Sequence, residues 1–89
     1  MAGSKSWSGV TSAIFACVKT TSEKEHGTKY EPPDANSGTA TTETAVGMVK
    51  LGFVLSGETL TYTIESKPFV VTEGEIWGGI NETINHCRG

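Results

Sequence analysis

The side chains in this 89-residue sequence best suited to nucleophilic or metal chemistry are two cysteines, Cys17 and Cys87, and two histidines, His26 and His86. A cysteine nucleophile needs a base close by to take its proton. Cys17 with His26 or His86 would meet that need only if the fold joined them, and neither cysteine sits in an activating setting. Protein zinc sites draw their ligands from spacings such as CxxC or HxxxH. Neither spacing occurs here. Adjacent His86 and Cys87 would point about 100° apart on a helix. No metal and no other cofactor is expected.

The paired carboxylates are equally bland. Glu23 and Glu25 belong to a solvated polar run, and Glu73 and Glu75 open a helical pattern. Neither pair has the apolar surroundings that raise a carboxyl pKa for acid–base work. Gly78-Gly79 falls inside the helical pattern rather than ahead of it, so no phosphate cradle is formed. Asn81-Glu82-Thr83 has the form of a glycosylation sequon, a triplet that chance supplies often. The expectation is a protein that is not an enzyme.

Charge and length narrow the class further. The net charge is -3, and seven basic residues are scattered along the chain. Nucleic-acid binding needs a basic face that displaces counterions, so neither nucleic acid nor an anionic membrane is an expected partner. Met1 to Gly9 (MAGSKSWSG) lacks the apolar centre of a signal peptide. With no run long enough to span a bilayer, a cytoplasmic location is expected. The two cysteines permit one disulfide or two buried thiols. A cytoplasmic setting argues against the bond, and the residue types leave the choice open.

The elements that must position these residues read as one domain over residues 1–89 with a small core. Residues 1–8 read as a flexible tail anchored by Trp7. Val10 to Thr20 reads as a strand with apolar residues on both faces. Residues 21–44 read as a long polar loop, because Gly27, Pro32-Pro33 and Gly38 interrupt a dense polar run. Within it, Thr28 to Glu31 is a candidate edge strand.

Ala45 to Leu55 and the stretch from Glu58 alternate cleanly. A hairpin turning at Ser56-Gly57 pairs Phe53 with Leu60, Leu51 with Tyr62 and Val49 with Ile64, giving one apolar face. It also sets Lys50 diagonal to Glu65. Phe69-Val70-Val71, after Pro68, reads as a short apolar strand or a continuation of the previous one. Thr72-Glu73-Gly74-Glu75 has the capping-box form. Ile76, Ile80, Ile84 and Cys87 then make one helical stripe, with Gly79 beside it to let the helix approach a sheet.

The expected fold is therefore α+β: a small antiparallel sheet of three to five strands, with one C-terminal amphipathic helix packed on one face. On such a scaffold the leading expectation is a binding protein that docks onto or inhibits a protein partner through the 21–44 loop and flanking aromatics. Glu23, His26, Lys29, Tyr30 and Trp77 are the contact candidates, and an open strand edge would allow a homodimer. The alternative is a small carrier of an apolar ligand held between sheet and helix, lined by Phe53, Leu60, Tyr62, Phe69 and Ile80.

Overall fold

A computed structural model describes residues 3–33 and 35–88. In chain order the elements are β1 (Ser4–Trp7), α1 (Ser12–His26), β2 (Lys29–Glu31), β3 (Ser37–Thr44), β4 (Gly47–Ser56), β5 (Thr59–Ser66) and α2 (Glu73–Arg88). The five strands form one antiparallel sheet in the order β1-β5-β4-β3-β2. Strands β2 to β5 are a simple meander, and β1 returns to the far edge beside β5. The protein is α+β, with α2 packed against the sheet as its apolar stripe requires.

The hairpin shows why one sheet face is buried. Along β4, Val49, Leu51, Phe53 and Leu55 point inward while Met48, Lys50 and Val54 face out. Leu60, Tyr62 and Ile64 do the same on β5. The turn, however, is Gly57-Glu58 rather than Ser56-Gly57, so Leu55 faces Leu60, Phe53 faces Tyr62 and Leu51 faces Ile64. Gly57 has φ 61°, a left-handed conformation that glycine adopts without a Cβ penalty. The partners slide by two residues, which matches the pleat period, so the apolar face survives the change of register. An irregularity between Lys50 and Leu51 sets Lys50 opposite Ser66, not diagonal to Glu65.

Four further expectations are corrected. Residues 12–20 are helical, not a strand. Thr11 caps α1 by accepting the Ile14 N–H at 3.2 Å, and Gly27 closes it in the left-handed conformation at φ 67°. Phe15, Val18 and Ser22, at helical spacing, form its buried face. Residues 4–7 are not a tail. They pair with β5 and bury Trp7, whose Nε1–H donates to Asn81 Oδ1 at 3.2 Å. Met1 and Ala2, the rest of that expected tail, lie outside the described residues, as does Asp34.

Residues 21–44 are not one loop, because they contain the end of α1, then β2 and β3. The short link between those strands is held down by Lys19, whose ammonium donates to the Pro33 and Ala35 carbonyls at 3.0 and 2.8 Å. The same ammonium lies 4.4 Å from the Phe15 ring centroid. Finally, Phe69-Val70-Val71 is a turn rather than a strand. The Val71 N–H donates to the Pro68 carbonyl at 3.0 Å, and Phe69 is 92% exposed.

Thr72 caps α2 as its sequence implies, although the reciprocal bond goes to its hydroxyl rather than to its backbone N–H. The Glu75 N–H donates to Thr72 Oγ1 at 3.2 Å, and the Thr72 hydroxyl donates to Glu75 Oε1 at 3.2 Å. Cys17 and Cys87 are joined in a disulfide with a Cα–Cα separation of 5.8 Å, which ties α1 to α2.

Candidate functional site

The disulfide joins the first half of α1 to α2 near its end. Beyond that pin, the two helices and the sheet enclose a cavity of about 400 Å³. From α1 it is lined by Val18, Ser22 and His26, and from α2 by Ile76, Gly79 and Ile80. The sheet supplies its floor through Tyr30, Ala40, Leu51 and Tyr62. Val46, in the β3–β4 turn, and Val71, just before α2, reach its rim. These segments touch, because a Cβ added to Gly47 would lie 2.9 Å from Pro68 Cγ.

Gly79 has a different role from the close helix–sheet approach its position suggested. A Cβ added there would meet no atom within 4 Å. The missing side chain is part of the cavity's volume. Glycine is a poor helix former, at about 1 kcal/mol against alanine, and no packing contact offsets that cost here.

The polar groups of the lining are mostly spent within the protein. The Thr28 and Thr42 hydroxyls share a hydrogen bond of 2.6 Å, and the Thr83 hydroxyl donates to the Gly79 carbonyl at 3.0 Å. The deepest polar pair is Tyr30 and Tyr62, whose hydroxyl oxygens are 2.7 Å apart. Both are buried, at 5% and 1% exposure. Burial is the main cause that lifts the Tyr30 phenol above its usual value, against the opposing effect of its Tyr62 and Ser22 hydroxyl neighbours. Burial lifts Tyr62 further, and the Tyr30 charge and hydrogen bond add to it. Both phenols are therefore neutral at physiological pH.

The residues expected to line a ligand site divide three ways. Tyr62 and Ile80 do line the cavity. Phe53 and Leu60 are buried in the core beneath it, with Phe53 edge-on to Phe15 at 5.5 Å between centroids. Phe69 is exposed and lines nothing. Of the expected partner contacts, Glu23, Lys29 and Tyr30 meet around a shallow recess beside β2, but Tyr30 is buried and its hydroxyl is turned to Tyr62. His26 lies at the cavity instead. Trp77 is half-buried and packs edge-on against Trp7, with ring centroids 6.0 Å apart. The sequence reading missed the contributions of Val18 and Ser22, because it took the first half of their helix for a strand and the second half for part of the polar loop.

Among the described residues no group of three His, Cys, Asp or Glu side chains is placed to hold a metal ion. Among them, too, no helix is long and apolar enough to cross a membrane. Fold and cavity together define an antiparallel sheet gripped by two disulfide-linked helices around an apolar recess. No protein-family model, curated protein or solved structure matches the chain.

Proposed function

We propose that this is a small non-enzymatic binding protein that carries an apolar small molecule between its sheet and its helices. The observation that carries the reading is the cavity of about 400 Å³, lined chiefly by aliphatic side chains and open at Gly79. That volume falls in the range of sites that enclose drug-sized ligands. An apolar ligand there would bury its own surface against these side chains.

The test is binding of the neutral dye Nile red to the wild type and to Gly79→Leu. Leucine at this position fills open space and restores helix propensity, so the variant is expected to melt no lower than the wild type while losing dye binding at least tenfold. Equal binding by the two proteins, or none by the wild type, overturns the reading.

Docking onto a protein partner is the second reading. What supports it is the meeting of Glu23 and Lys29, one of each charge, at the recess beside the open edge of β2. A partner captured by the wild type would then be lost on reversing both charges, with the melting temperature unchanged.

A further inference from the structure

We infer that the cavity selects an uncharged ligand, mainly apolar, whose one polar group is a hydroxyl or carbonyl oxygen met by the Tyr30–Tyr62 hydroxyl pair. This deepens the carrier reading and rests on it. Three observations support it.

Hydrogen counting comes first. Two phenols hold two hydroxyl hydrogens, and the bond between them uses one. One hydrogen and several lone pairs remain, with the buried Ser22 hydroxyl alongside. The other hydroxyl pair of the lining, Thr28 with Thr42, differs because Thr42 is half-exposed and water can complete its bonding. Tyr30 and Tyr62 both line the cavity, so a ligand oxygen there is placed to take up what the pair offers.

Charge comes second. Among the described residues that line the cavity there is no lysine or arginine, and the ionisable groups apart from the tyrosines are His26 and Glu75. Both are exposed at its outer side. A carboxylate head driven in among Leu51, Ala40 and the two phenols would meet no cation. An unpaired buried charge is strongly disfavoured. A fatty-acid anion therefore fails on charge.

The third is the state of the phenols. Burial keeps both protonated well past neutrality, so the pair remains a donor and an acceptor throughout the physiological range. A hydroxyl can answer both functions and a carbonyl oxygen the donor alone.

Displacement of Nile red by dodecane, 1-dodecanol, methyl dodecanoate and dodecanoate at pH 8 tests this, using the intact disulfide-bonded protein. Dodecanol and the ester are expected to compete about 3- to 10-fold better than dodecane, the worth of one net hydrogen bond. Dodecanoate is expected to be weaker than dodecanol by at least tenfold. Tyr62→Phe and, separately, Tyr30→Phe should erase the preference of dodecanol over dodecane while dodecane still competes; near-ultraviolet circular dichroism verifies that each variant is folded. Ser22→Ala gives a second route should either phenylalanine variant fail to fold, and it should lower the same preference. Equal competition by dodecanol and dodecanoate overturns the inference, as does a dodecanol preference unchanged in the folded variants. In both cases competition itself shows the carrier reading intact. Absence of dye binding by the wild type overturns the carrier reading and this inference with it.

Discussion

Reducing the Cys17–Cys87 disulfide is expected to remove a large part of the stability of this protein. The two residues are 70 positions apart, so the bond closes most of the chain into one loop. In the chain-entropy treatment a loop of that length restricts the unfolded state by about 4 kcal/mol. Domains hold about 0.05–0.15 kcal/mol per residue, which for 89 residues is about 4–13 kcal/mol in all. The bond thus supplies between a third and nearly all of the margin. For a domain of this size each kcal/mol moves the melting temperature by about 4–8 °C, and the expected fall is about 15–30 °C. Circular dichroism melts with and without a phosphine reductant, and of the Cys17→Ser/Cys87→Ser double variant, make the measurement. The two routes should agree, since the serines leave α1 and α2 in place and remove only the tether. A fall under about 5 °C by both routes would refute the reasoning, because the tether would then be adding little beyond what α1–α2 packing already provides.

Two smaller predictions concern the tyrosine pair and the helix cap. Burial lifts both phenols above their ordinary value of 10.0, so above about pH 10 the native protein keeps protons that the unfolded chain has released. Stability is then complete below about pH 10 and declines as pH rises through the native values. Urea midpoints between pH 8 and 12 should show that decline, flattened in Tyr62→Phe. Thr72→Ala removes the hydroxyl that accepts the Glu75 N–H, and it should cost about 1 kcal/mol in urea denaturation without moving the native circular dichroism spectrum.

The parts of the fold legible in the sequence were those where one signal spoke alone. The β4–β5 ladder alternates strictly, and α2 announces itself through the Thr72 cap and the isoleucine stripe. Helix α1 was obscured because Val10, Ile14, Phe15 and Val18 favour strands by type, while the second half, from Thr20 to His26, carries almost no apolar pattern. The cap-to-cap span from Thr11 to Gly27 was the signal available there. Strand β3 was hidden for the opposite reason: its inward residues are Ala40 and threonines, which border the cavity and are too small and polar to stand out. Tyr62 and Ile80 could be named as lining residues from their faces alone. The recess itself could not, since it depends on where two helices diverge and on a glycine with nothing opposite it.

The place of β1 in the sheet bears on how the protein is assembled as it is made. Ser4 finds its partner in Thr63, far along the chain, while the strands from β2 to β5 each pair with their nearest neighbour in sequence. On a ribosome the meander can zip up hairpin by hairpin as it emerges, since short-range pairings form first. Strand β1 stays unpaired until β5 has emerged. Trp7 and Cys17 both have partners on α2, Asn81 and Cys87, so those two links also wait for the later part of the chain.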